Sequence, residues 1–222
     1  MPRRKKIRTT STDRRAGGDW DPPAVRKLNN IRREVAVEAA RIMATEGQHN
    51  YMAAKRKAAD RVGASTRLVL PSNREVEEAL RAYQGFYGGE RHFDHVQKLR
   101  ETAIEVMRAL DDFQPRLVGP VLDGTADSHS RVSLHLFHDP PEQVMFHLQE
   151  RGIDFHQEQR RIRWHNGSHQ DIQLLVTDVN DVTVELALFS LLDLRQAPPS
   201  PIDGKPQKRA RLPDVEILLA AA

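Results

Sequence analysis

From Val25 the apolar residues recur at helical spacing: Ile31, Val35, Ala39, Ile42 and Met43 mark one face of a helix that Gly47 stops. A second helix is predicted from about Asn50 to Val62, closed by Gly63, with Lys55, Arg56, Lys57 and Arg61 on its exposed side. Leu70-Pro71 breaks the chain, and Ser72-Asn73 can cap a third helix that carries Glu75 in its first turn and Val76, Leu80, Tyr83 and Tyr87 as its stripe. After Gly88-Gly89 a fourth helix follows, with Phe93, Val96, Leu99, Ala103, Met107 and Leu110 as its inner face. The front half therefore reads as a small helical bundle.

At Gln114 the period changes to two. Leu117 to Leu122 reads as a buried strand running into a turn or short helix, and residues 131–137 alternate. Val132, Leu134 and Leu136 take one face of that strand, while Ser133, His135 and Phe137 take the other. Pro141 and Glu142 open a helix with Val144, Met145 and Leu148 on its core side, ended by Gly152. Arg160–Trp164 and Asp171–Thr177 read as strands joined around Asn166-Gly167, a strong hairpin signal, and a turn at 178–181 leads to a last strand at Thr183–Phe189. Four prolines, at 198, 199, 201 and 206, make 195–209 an irregular excursion, and a short helix from about Pro213 closes the sequence.

The expected fold is α+β: a helical N-terminal bundle followed by a mixed β-sheet with covering helices. Four regions are expected. They are a disordered basic tail at 1–24, a helical accessory region at 25–111, an α+β domain at 112–194, and the Pro-rich excursion with its helix at 195–222.

Charge sharpens this division. Residues 1–110 hold 23 Lys/Arg and 14 Asp/Glu (net +9), and residues 111–222 hold 11 and 17 (net −6). Two regions of opposite sign suggest different jobs or mutual attraction. The overall net charge of +3 gives nucleic-acid binding little electrostatic weight, and the basic tail reads as a solvated arm. No cysteine is present, which rules out disulfides and thiolate metal sites. No apolar run approaches the roughly 18 residues that would span a bilayer, and the basic start leads into TTSTDRR, so a cytoplasmic protein with no membrane partner is expected.

The candidate chemistry lies in LVGPVLDGTADSHSRVSLHLF, residues 117–137. This stretch is similar to the signature of the DNA polymerase beta-like nucleotidyltransferase superfamily, especially its minimal members. In those, an apolar strand, Gly-Ser, a short helix and a Gly-containing loop precede an Asp-x-Asp strand. The resemblance covers roughly residues 114–190. It sets Gly119 on the first glycine, Gly124, Thr125 and Ala126 on the Gly-rich segment, and Ser130 to Leu134 on the Asp-x-Asp strand. The glycine lets backbone approach triphosphate oxygens, and two carboxylates two residues apart on a strand hold two Mg²⁺ ions for in-line transfer.

This chain departs from that pattern at three places. Pro120 replaces the serine, and Arg131 and Ser133 replace the two carboxylates. Glu185, on TVELALF, matches the third acid, with Asp171 a weaker match; Asp123 and Asp127 fall off the spacing. The resemblance thus implies a nucleotidyltransferase-like protein with weakened or lost catalysis that binds nucleotide or RNA. Gly119, Gly124, Thr125 and Ser130 would hold the nucleotide. Glu185 and Ser133 are the catalytic candidates, and Glu185 and His135 the metal candidates. An active Mg²⁺-dependent transferase is the alternative.

Two rival readings come from other residues. REVAVEAARIMATEG followed by AAKRKAADRVGAS is similar to the start of tetracycline-repressor-type regulators, which implies a helix-turn-helix DNA binder. However, STRLVLPSN is a short place for a recognition helix. His135 with the pair His165 and His169 could ligate a transition metal, but structural histidines are the simpler reading. Trp164 and Phe189 read as core or sheet-face residues. No Walker loop, dinucleotide fingerprint or GxSxG elbow is present. The oligomeric state is not encoded in any of these patterns.

Overall fold

A computed structural model describes residues 22–64 and 70–221, in an α+β arrangement. The expected tail falls almost wholly outside the described residues, as does 65–69, where the recognition helix of a helix-turn-helix would begin. Helix α1 spans Pro23–Glu46, α2 Tyr51–Val62 and α3 Asn73–Tyr83; a π-helical turn at Gln84–Gly88 joins α3 to α4, Gly89–Ala109. The helix starts follow from local chemistry. Pro23 sits in the first turn of α1, where its missing N–H costs nothing, and the Asn50 side chain accepts from Ala53 N. Ser72 and Glu75 form a capping box on α3.

The sheet follows: β1 Arg116–Val118, the short helix α5 Pro120–Asp123, β2 Val132–Phe137, α6 Gln143–Glu150, β3 His156–Arg163, β4 His169–Val179 and β5 Val182–Phe189. Helix α7, Leu212–Ala220, ends the described chain. The strand order is β1-β2-β5-β4-β3, with β2 and β5 parallel and every other pair antiparallel. The Asn166-Gly167 hairpin forms as expected, and Asn180 and Asp181, both at positive φ, make the tight turn from β4 to β5. β3 starts four residues earlier than the apolar pattern suggests. As an edge strand with exposed polar side chains on both faces, its first half carries no hydrophobic period.

Among the described residues, three hydrophobic clusters hold the fold together. Val35, Ala39, Ile42, Ala54, Ala58, Val76 and Leu80 join α1, α2 and α3. The largest packs α4, α6 and α7 on one face of the sheet, through Leu99, Met107, Val144, Leu148 and Val215 against Leu117, Leu134, Leu136, Val184 and Leu186. So α4 shares its core with the strands. The third, on the opposite sheet face, gathers Phe137, Ile172, Leu174, Ala187 and Phe189.

Two details of the helical pattern differ from expectation. Lys55 is buried rather than exposed: its Nζ donates to Pro71 O at 3.0 Å and Asn73 Oδ1 at 2.7 Å, tying α2 to the loop before α3. The lysine stem lies along the core while its head finds acceptors, which a helical wheel does not anticipate. Phe93 and Tyr87, expected on inner faces, are exposed: Tyr87 lies in the π-helical turn, off the period of α3, and Phe93 lies near the start of α4, before its buried stripe begins at Val96. Among the described residues no helix is long and apolar enough to cross a membrane.

Candidate functional site

Alternation on TVELALF sends Val184, Leu186 and Leu188 to the helix-covered face and Glu185 to the other. In the parallel β2–β5 pair Ser133 lies directly opposite Glu185, and across β1–β2 it lies opposite Val118, the residue before Gly119. The sheet therefore brings Gly119, Ser133 and Glu185 to one end of the face that α4 and α6 leave uncovered.

Glu185 is 3 % exposed and fully engaged. Arg160, from β3, grips it with two hydrogen bonds: Nη1 donates to Oε1 at 2.8 Å and Nη2 to Oε2 at 2.6 Å. Arg131 Nη1 lies 3.8 Å from the same carboxylate and donates to both oxygens of Glu158 at 3.2 Å. His156 Nε2 sits 3.2 Å from Glu158. Hydrogen bonding from Arg131, and then His156, holds the Glu158 carboxyl below the usual range. The result is a two-arginine, two-glutamate network, with the guanidiniums half exposed and Glu185 beneath them.

Mg²⁺ does not fit this arrangement. Both Glu185 oxygens are committed to Arg160, and Arg131 adds positive charge where a cation would have to enter. Among the described residues no cluster of three His, Asp or Glu side chains could hold a metal ion. His135 is placed against a ligand role as well. It is buried, and its Nδ1 accepts from Arg209 Nε at 3.2 Å. Burial, with Arg209 and Arg160 nearby, pushes its pKa down to about 3, so the ring stays neutral. Arg209 is itself held over the rings of Phe137 and Phe189, at 4.8 and 5.5 Å from their centroids, and donates from Nη1 to Asp193 O at 2.8 Å. His165 contacts Ala197 O, and His169 pairs with Arg163 in the hairpin, so the three histidines considered for a metal do not converge.

The loop residues take different places. Gly119 has φ 74° and ψ −155°, a conformation open in practice only to glycine, and a Cβ there would meet nothing within 4 Å, so the backbone borders open space. The segment after α5 is instead clamped to the helices. Gln84 Nε2 donates to Thr125 O at 2.9 Å, and Arg100 Nε donates to Val121 O at 3.2 Å. His92 Nε2 lies 3.1 Å from Gly124 O, and His95 Nε2 lies 2.8 Å from Asp127 O. Ser130 Oγ is spent on Asp127, accepting from its N–H and donating to Oδ1, both at 2.9 Å. Of the four expected nucleotide residues, Gly119 borders open space, and Gly124, Thr125 and Ser130 are engaged in fixing the loop.

No family model, curated protein or solved structure matches this chain.

The residues that sequence reasoning missed are Arg160, Glu158 and Arg209. Arg160 and Glu158 left a signal in HQEQRRIR, where charge of both signs sits in a strand with no apolar period, next to a motif in which arginine stands for a carboxylate. Arg209 left none, because it lies in the Pro-rich excursion and its contact with His135 joins residues some seventy positions apart.

Proposed function

We propose that this protein is a nucleotidyltransferase-like scaffold without metal-dependent transfer, which binds the phosphates of a nucleotide or RNA on its open sheet face. The observation that carries this reading is the double hydrogen bond from Arg160 to Glu185 beside Ser133. At the position where the resemblance calls for three carboxylates and two cations, one acid remains and a guanidinium holds it. Arg160 spends two of its five N–H groups on Glu185, so N–H groups on its exposed side can donate to phosphate oxygens without a metal ion. Arg131 adds a second half-exposed guanidinium, and the open backbone at Gly119 leaves room beside both.

The test pairs two assays. Incubation with each radiolabelled nucleoside triphosphate and Mg²⁺ is expected to give no labelled product. Equilibrium binding of nucleotide or RNA is expected to survive EDTA and to fall in Arg160→Gln. Labelled product that is lost in Glu185→Ala, or binding that vanishes with EDTA, would sink the proposal.

A further inference from the structure

Among the described residues, the most exposed aromatic side chains lie outside the sheet. Phe86 is 81 % exposed and Tyr87 69 % exposed, on the π-helical turn between α3 and α4. Monomeric proteins seldom leave contiguous aromatic surface in water without a use, and single π-helical turns recur at functional positions. Here the rings are ordered against one another. Tyr83 and Tyr87 have centroids 4.7 Å apart at 37°, and Phe86 meets Tyr87 edge-on at 4.9 Å. Neighbouring side chains leave Phe86 and Tyr87 uncovered, while Tyr83 is half-buried. Cβ atoms built at Gly85 and Gly89 would meet nothing within 4 Å, whereas one at Gly88 would meet the His92 side chain.

The platform is fixed to the candidate site. Gln84, buried within the same turn, donates to Thr125 O, and His92, just beyond it, reaches Gly124 O. The loop they hold runs on without a break through Ser130 to Arg131, the half-exposed guanidinium over Glu185. Cations flank the rings as well. Arg81, half exposed, lies on the turn of α3 before them, and Arg91 is exposed just after. The nearby acids Glu77 and Glu38 are held by Arg81 and Arg41, while Glu90 and Asp94 are exposed.

Rings that offer open faces, with arginines beside them, match a ligand with flat π surfaces on an anionic backbone. We infer that Tyr83, Phe86 and Tyr87 form a stacking platform for the bases of single-stranded RNA, whose backbone follows the 124–131 loop toward Arg131 and Arg160. This rests on the phosphate-binding reading of the sheet face and deepens it. The ligand becomes a strand of several nucleotides, because two recognition elements of different chemistry are joined by one loop.

The experiment measures fluorescence anisotropy of a labelled single-stranded oligouridylate, with UTP binding as a second readout. It compares the full chain, Phe86→Ala/Tyr87→Ala and Arg131→Gln/Arg160→Gln. Both aromatic side chains are exposed, so the first variant should keep the wild-type circular dichroism and melting curve. It is expected to weaken oligouridylate binding by about tenfold or more and to leave UTP binding unchanged. The arginine variant is expected to weaken both. Loss with the arginine variant alone would overturn the platform and leave the sheet-face reading standing; loss with the aromatic variant alone would overturn the sheet-face reading and, with it, the path of the strand to Arg131 and Arg160. A wild-type chain that binds no oligouridylate, or binds the matching single-stranded DNA more tightly, would overturn RNA as the partner. A wild-type dimer that Phe86→Ala/Tyr87→Ala converts to monomer would show that the rings face a second copy of the chain and overturn the proposal.

Discussion

The two faces of the central sheet are built from the same strands by opposite rules. Beneath α4, α6 and α7, the residues Leu117, Leu134, Leu136, Val184 and Leu186 are fully or almost fully buried among aliphatic neighbours. One residue along each strand, the other face sets Ser133, His135 and Glu185 beside a smaller apolar cluster of Phe137, Leu174, Ala187 and Phe189, with Glu185 and His135 held by arginine hydrogen bonds. Period-two alternation alone sends neighbouring residues to these different environments. The covered face is where stability is concentrated. The open face keeps a buried carboxylate and a buried imidazole that contribute nothing by transfer from water, and both are held by arginine. The same face also carries the apolar cluster of Phe137, Leu174, Ala187 and Phe189, so its polar groups are an inset at one end, where burial costs stability unless arginine pairs them.

Truncation on the covered face should have the largest effect. Leu134→Ala leaves a cavity in a site with no exposure, and urea denaturation should show a loss of about 2–5 kcal/mol. A loss below about 1 kcal/mol would mean that the two faces differ less than their packing suggests. On the open face, Arg160→Ala strands Glu185 with only Arg131 nearby. Because Arg160 is half exposed and water can reach the gap, the loss should be smaller, about 1–3 kcal/mol, and Arg160→Ala/Glu185→Gln should recover part of it. Failure of the double variant to recover any stability would show that the pair is not coupled.

The pH dependence sharpens the same contrast. His135 has a folded-state pKa of about 3, against an ordinary value of 6.5. Between these values the unfolded chain binds a proton that the folded chain refuses, so the neutral ring's contribution is complete above pH 6.5 and is lost as pH falls toward 3. Melting curves across that window should show the stability difference between wild type and His135→Asn shrinking on acidification. A difference that is flat with pH would place His135 in a wetter setting. Ser133→Ala should have the smallest effect, within about 0.5 kcal/mol, since Ser133 is only half buried and among the described residues its hydroxyl makes no hydrogen bond.

Local periodicity made the fold class legible in the sequence. The switch from helical to alternating spacing near Gln114 falls at the end of α4, and the Asn166-Gly167 hairpin, the Ser72–Glu75 cap and the last strand stand where the pattern put them. Less could be read where the deciding interaction is remote. The pattern puts Lys55 on a solvated face because its acceptors, Pro71 in the following loop and Asn73 at the start of α3, lie beyond its own helix. Tyr87 falls in the π-helical turn, where the period that carries the stripe of the third helix lapses, and Phe93 precedes the buried stripe of α4, which begins at Val96. At the candidate site, Gly119, Ser133 and Glu185 could be singled out from the motif and the alternation. Their common end of the sheet depends on β2–β5 pairing across fifty residues, and the grip of Arg160 on Glu185 depends on the position of β3 at the far edge.

The central claim is that arginine rather than a metal ion neutralises Glu185. Titration of the protein with Mn²⁺, a paramagnetic stand-in for Mg²⁺, followed by electron paramagnetic resonance with and without a nucleoside triphosphate, tests it most directly. The account predicts the same bound-Mn²⁺ signal in wild type and Glu185→Ala. A protein-bound Mn²⁺ signal in wild type that disappears in Glu185→Ala would contradict it.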